Sequence, residues 1–257
     1  MLLYLDKICY NHKTDYFGIE GEFKMNGKLK EKPARTLKDK MFWLIPKYAY
    51  LPLALLIIIN FAVYLGNRIV TYDMYHYDFT LDFEKNIPFV PEAVIIYFGA
   101  FIQWIIGYIV IVRESKDRCA RVVTGEIIAK FICLAIYIII PTTMARPVIE
   151  GDGFFEQVMA FVYTVDNPKQ ADNLLPSLHC LESWICFRCA IGCKKVPKWY
   201  VPVQFVFTLM VFASTLLVKQ HIFVDIPAGV IVAEIGLLIS GIIFNWKARK
   251  NTTVNKE

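Results

Sequence analysis

Six apolar stretches of the chain approach the length needed to cross the roughly 30 Å hydrocarbon core of a bilayer. They are Trp43 to Leu65, Ala93 to Val112, Glu126 to Thr142, Ser177 to Gly192, Tyr200 to Val218 and His221 to Phe244. The third and fourth are short and interrupted by charge. This pattern predicts an all-α polytopic membrane protein with six transmembrane helices in one bundle, because no repeat, low-complexity linker or composition shift divides the membrane region. The expected organisation is a basic N-terminal segment over residues 1–42, a membrane domain over 43–244 and a basic tail over 245–257.

Composition supports the membrane class: 56% of the 257 residues are hydrophobic. The basic residues then set an orientation, since loops rich in Lys and Arg resist translocation. Arg113, Lys116, Arg118 and Arg121, then Lys194, Lys195 and Lys198, then Lys247, Arg249 and Lys250 all fall on the side of the N-terminal segment. That side is predicted to be cytoplasmic, with both termini inside. The opposite loops carry Asp73, Asp78, Asp82, Glu84, Glu92, Glu150, Asp152, Asp166 and Asp172. The net charge of +5 therefore reads as topology and contact with anionic lipid, not nucleic-acid binding. No signal-peptide layout precedes Lys40, and the opening MLLYLDKICY reads as a tail or a short surface helix.

Seven cysteines, several within the apolar runs, do not form a disulfide framework, and CFRC from Cys186 to Cys189 reads as helix packing. Two outer loops are long. The first, Asn67 to Glu92, is rich in Tyr and Phe and suits the headgroup layer, either as an interfacial belt or as a cover over a lipid ligand. The second, Met144 to Pro176, leads into NLLPSLHC, where His179 sits at the outer end of the fourth span.

His221 and Asp225, four apart at the start of the sixth span, are expected to share a helical face at the same depth as His179. Ionisable groups at membrane depth line functional cavities. Arg146 and Lys219 are predicted on the same side, and the fourth and sixth helices both point their amino ends there, which favours an anion such as phosphate. Pro176 fits the first turn of the fourth helix. In this arrangement His221 can attack phosphorus, Asp225 can fix its tautomer, and His179 can protonate a leaving alcohol. Arg146, Lys219 and Ser177 can hold the nonbridging oxygens.

PSLH from Pro176 to His179, followed by Ser214, His221 and Asp225 in the spacing S-x6-H-x3-D, resembles the type 2 phosphatidic acid phosphatase superfamily. The resemblance runs from about Trp43 to Phe244. It implies a six-helix core, a phosphohistidine intermediate formed without metal or cofactor, His221 as nucleophile, Asp225 as its partner and His179 as general acid. Two positions depart from the family pattern: Thr215 stands where an arginine follows the serine, and Ile139 where a lysine precedes Arg146-Pro147 by seven residues. Lys219 is a candidate replacement. PTTMARP, IPFVP and the K-x-H-x3-D pattern resemble the branch that includes inositol phosphorylceramide and sphingomyelin synthases.

The expected activity is hydrolysis of a lipid phosphate or pyrophosphate at the extracytoplasmic face of the plasma membrane. Transfer of a phospho-headgroup to a lipid alcohol is the alternative. A metal-dependent site on the two histidines and aspartate, and a lipid-binding protein without catalysis, are further classes; the substrate and oligomeric state stay open. Arg188 and Glu234 each lie nine residues inward of the candidate site, roughly 13 Å at helical rise, and are expected to pair as a structural ion pair. Glu182, one turn after His179, is expected to tune that ring or to contact another helix. Lys130 is expected to snorkel to water, and His12 and His76 to be exposed.

Overall fold

Proline and serine punctuate the membrane segments. Pro46 opens a 3-10 turn, Lys47–Ala49, that runs into helix α1, Tyr50–Thr71. Pro91 similarly starts the turn that becomes α2, Val94–Glu114. Ser115 alone separates α2 from α3, Lys116–Ile139, and its hydroxyl accepts the Arg118 amide at 3.0 Å. Then come α4, Phe154–Asp166, α5, Leu178–Ala190, α6, Tyr200–Leu217, and α7, Asp225–Val254. Two-residue strands, β1 (Tyr77–Asp78) and β2 (Thr142–Thr143), pair in parallel between the outer loops. This computed structural model describes residues 44–167 and 171–254. The basic N-terminal segment, with Cys9 and His12, lies outside the described residues.

The chain is mostly helical, and among the described residues five helices are long and apolar enough to cross a membrane: Lys47–Thr71, Pro91–Glu114, Lys116–Ile139, Tyr200–Leu217 and Asp225–Lys250. The fourth expected span differs. Helix α5 has 13 residues, about 20 Å at 1.5 Å each, well short of the hydrocarbon core. It stands as a central post: Cys180, Leu181, Ser183, Ile185, Cys186 and Cys189 are all fully buried among α2, α6 and α7. Protein rather than lipid surrounds it, so its polar residues find partners and its apolar length is not constrained by the bilayer.

Other boundaries moved for related reasons. Helix α1 continues to Thr71 because Asn67 and Arg68 find buried partners, Asn173 for the first and Asp166 and Asp172 for the second. Helix α3 begins ten residues before the expected Glu126, since Arg118 caps the carbonyls of Cys189 and Ile191. Helix α4 is a finding that the apolar runs did not contain. It buries Met159 against Val94, Tyr97 and Val218 and leaves Phe154, Phe161 and Val165 exposed. At the far end α7 continues through residues read as a tail.

The core joins α3, α5 and α7 through Ala129, Cys133, Tyr137, Leu181, Ile185 and Val232. The close approach of α3 and α7 needs glycine. A Cβ on Gly236 would stand 2.3 Å from the Gly125 carbonyl oxygen, a contact that only backbone movement relieves. Basic groups gather at one end, where Lys195 donates to the carbonyls of Arg113 and Glu114 and Arg121 reaches Asn245. His179 and His221 lie at the other end, at the starts of α5 and α7.

Gly236→Leu is expected to separate α3 from α7 and destabilise the bundle by about 1–3 kcal/mol or more. Thermal unfolding of the detergent-solubilised protein measures it; Gly66→Ala, with open space around its Cβ, is the control and leaves the midpoint near wild type.

Candidate active site

The two motif segments meet because α5 and α7 start side by side. The Ser177 amide donates to the Asp225 carbonyl at 3.2 Å. A Cβ on Gly229 would lie 2.6 Å from the Ser177 carbonyl oxygen, so this glycine permits the contact. Ser177 is the N-cap of α5: its hydroxyl accepts from the Cys180 amide at 3.3 Å. Pro176 therefore precedes the cap and is not in the first helical turn; the Leu175–Pro176 peptide is cis. Tyr137 holds this approach by donating to the Pro176 carbonyl at 2.6 Å.

His221 lies in the turn before α7, not on the helix as its spacing from Asp225 implied. The residues meet because the chain folds back on the carboxylate. Asp225 Oδ2 accepts from the Ile222 amide at 2.9 Å and faces His221 Nδ1 at 3.1 Å, while Nδ1 also faces the Leu174 carbonyl at 3.1 Å. Both neighbours of Nδ1 are acceptors, so the ring's proton resides on Nδ1 and Nε2 carries the lone pair. Asp225 is fully buried.

His179 lies across from it, with ring centroids 6.2 Å apart. Tyr97 stacks on the His179 ring at 4.2 Å, and Trp104 and Phe101 close round it at 5.1 and 5.7 Å. His179 Nε2 is buried and has no hydrogen-bond partner among the described residues. Leaving such an atom unsatisfied costs about 1–3 kcal/mol, which a ligand acceptor would relieve.

Both imidazoles line a cavity of about 450 Å³. Its walls are largely aromatic and aliphatic, and Phe61, Leu65, Phe98 and Phe161 on α1, α2 and α4 are both wall residues and exposed. The cavity thus opens sideways, toward the space that lipid would occupy. Its polar wall is formed by Arg68, Asp166, Asp172, Asn173, Gln220 and Glu182.

The structure does not bring every candidate to this wall. Arg146 stands behind it: Nη2 contacts Asp166 and donates to Gln220 Oε1 at 3.1 Å, and Nη1 donates to the Asn167 carbonyl at 3.0 Å. Lys219 turns away, donating to the Ile87 carbonyl at 2.7 Å. Ser214 donates to the Val211 carbonyl at 2.8 Å within its own helix. Ser177 is fully buried as a cap. The Tyr- and Phe-rich outer loop does not cover the cavity but clasps the His221 turn, through Glu84 accepting the Phe223 amide at 2.7 Å and Val90 donating to Leu217. Arg188 and Glu234 lie 3.1 Å apart, and Trp184 donates to the same Glu234 oxygen at 2.8 Å.

Reading the sequence placed Arg68 in the first outer loop and expected Lys130 to reach water; neither was assigned to the site. Both are charges on long apolar helices, which is the signal that marks them. Lys130 does not snorkel. It is wholly buried, paired with Glu182 and donating to Asn60 Oδ1 at 2.5 Å, because α3 extends about 20 Å beyond it toward the basic end. Tyr108 joins the cluster between Glu182 and Glu126. Asp166 is bound by Tyr64, Arg146 and Arg68. Burial pushes its carboxyl up, but the Tyr64 hydrogen bond and the two guanidinium charges outweigh this and hold it below the ordinary carboxylate range.

Lys130→Met leaves buried carboxylates without their cation, and is expected to destabilise by about 3–5 kcal/mol. Lys130→Met with Glu182→Gln recovers part of that loss in thermal unfolding. Because the folded Asp166 is the stronger acid, its contribution is complete above the unfolded carboxylate pKa of about 4. It disappears as pH falls through the lower folded value. Asp166→Asn is therefore expected to lower stability near neutrality and to flatten the acid limb of the melting profile.

Residues 83–239 match the sequence profile of the PAP2 superfamily, a stretch that holds Arg146, the PSLH segment and the His221–Asp225 turn. Neither curated proteins nor solved structures give a match. The family covers more than half of the chain and its members are phosphatases or related phosphotransferases. The chain belongs to the PAP2 superfamily, whose name abbreviates the type 2 phosphatidic acid phosphatases that its motifs resemble.

Proposed function

We propose that this protein is an integral membrane enzyme that cleaves a lipid phosphate or pyrophosphate through a phosphohistidine on His221. The observation that carries the reading is the pair of imidazoles, 6.2 Å between ring centroids, on the wall of an apolar cavity open toward lipid. His221 Nε2 presents its lone pair to phosphorus from one side. A bond forms between Nε2 and phosphorus as the phosphorus–oxygen ester bond breaks, and His179 Nε2 gives its proton to the departing oxygen. Asp225, fixed by the Ile222 amide, stabilises the positive charge that develops on His221. In the second step water attacks phosphorus, His179 takes its proton, and the nitrogen–phosphorus bond breaks.

In the protein alone, burial and the neighbouring His221 disfavour the protonated form of His179, and the negative charge of a bound phosphate offsets both. The aromatic rings round His179 supply no competing acceptor, so its proton is available to substrate. Arg146 acts from behind the wall, holding Asp166 and Gln220 in place. The basic end faces the cytoplasm in this reading, which puts the histidines at the extracytoplasmic face. Phosphotransfer to a lipid alcohol is the second reading. A cavity of about 450 Å³ with apolar walls has room for an acceptor tail beside the phosphate.

Purified protein incubated with phosphatidate, with and without ceramide or diacylglycerol, separates the two: free phosphate marks hydrolysis and a new phospholipid marks transfer. His179→Ala is expected to slow turnover by about 10²–10⁴-fold. His221→Ala is expected to abolish both turnover and the acid-labile labelled phosphoenzyme. Full turnover by folded His221→Ala and His179→Ala proteins would falsify the assignment.

A further inference from the structure

A phosphoryl group needs positive donors around its nonbridging oxygens, and the two positions at which the family pattern carries them are apolar or neutral here. Ile139 is exposed at the end of α3. Thr215 is fully buried, with its hydroxyl donating to the Phe212 carbonyl at 2.8 Å. Lys219 is engaged by Ile87, and Arg146 does not reach the cavity wall. Among the residues that line the cavity, Arg68 is the sole lysine or arginine.

Its guanidinium is held in one orientation. Nε donates to Asp172 Oδ1 at 3.0 Å, and Nη2 donates to the same oxygen at 2.8 Å, to Asp166 Oδ1 at 2.8 Å and to the Tyr64 hydroxyl at 3.0 Å. The Tyr64 ring lies 4.5 Å beneath. Nη1, with two N–H groups, has no acceptor among the described residues. Arg68 and Arg146 balance Asp166 and Asp172 in charge, so an arriving anion meets oriented donors without an excess of negative charge. Arg68 also lies outside residues 83–239, the part of the chain that the family profile matches.

We propose that Arg68 is the phosphate-binding cation of this site, with Nη1 donating to a nonbridging oxygen of the group held between His179 and His221. It supplies from α1 the charge that Thr215 does not provide from α6. The proposal rests on the phosphoryl-transfer reading of the site. It makes the two aspartates positioning residues that hold the fork, since a planar guanidinium with three of its N–H directions fixed can aim the remaining two.

The test uses the full chain in detergent, inorganic phosphate as probe and phosphatidate as substrate. Arg68→Gln is expected to weaken phosphate inhibition and raise KM about ten-fold or more, and to remove the protection that phosphate gives against thermal unfolding. Arg68→Lys keeps the charge for both aspartates but lacks Nη1, so its phosphate affinity is expected to fall about five-fold. It carries the test if Arg68→Gln does not fold. Lys85→Gln, which removes an exposed charge paired with Asp82 away from the cavity, is expected to leave phosphate binding unchanged. Phosphate affinity within about two-fold of wild type in a folded Arg68 variant overturns the proposal, as does an equal loss in Lys85→Gln, which would mark a general charge effect. His221→Ala should lose turnover yet keep phosphate protection, so failure of the catalytic reading registers separately from failure of Arg68.

Discussion

The contact between the first turns of α5 and α7 is the constraint on which the site depends. Two segments more than forty residues apart are joined there by one backbone hydrogen bond, from the Ser177 amide to the Asp225 carbonyl, and by the absence of a side chain at Gly229. The cap on α5 sets where His179 leaves the helix, and the carboxylate of Asp225 sets how the chain before α7 turns. Because Asp225 binds both a backbone amide and the imidazole, the orientation of His221 is coupled to the fold of its own turn. The outer loop reinforces this turn from the far side through Glu84.

Buried polar groups are numerous among the described residues, and many belong to networks. Lys130, Glu182, Glu126, Tyr108 and Asn60 form one beneath the cavity, and Arg68, Asp166, Asp172, Arg146 and Gln220 form another beside it. Each gathers polar groups from three or more segments of chain, so each acts as a clamp that specifies relative helix positions. Such clamps do not add large net stability, since desolvation offsets the attraction, but breaking one leaves an uncompensated charge.

How much was legible follows from what each residue faces. Helices α2 and α6 present apolar side chains to lipid, and their limits agree with the hydropathy pattern to within two residues. Helix α5 is enclosed by protein, where hydropathy carries little information about length. Helix α4 mixes Glu156 and Gln157 with aromatics and so did not register as an apolar run. Charges were taken as boundaries, which shortened α1 and α3 and left Arg68 in a loop, while Lys130, inside the expected third span, was assigned to water. The motif residues were legible because local spacing encodes them. Their separation in the fold was not: a turn, and not a helical face, brings His221 to Asp225, and Lys219 and Ser214 point elsewhere although they sit within the same motif.

The sideways mouth of the cavity has a kinetic meaning. Its rim of Phe61, Phe98 and Phe161 is apolar and exposed; for the lipid phosphate proposed above, that means access to the histidines by two-dimensional diffusion within a leaflet, without leaving it. Encounter frequency then scales with the ligand's mole fraction among the surrounding lipids, and diluting it with inert lipid slows capture even when the amount per volume of solution is unchanged.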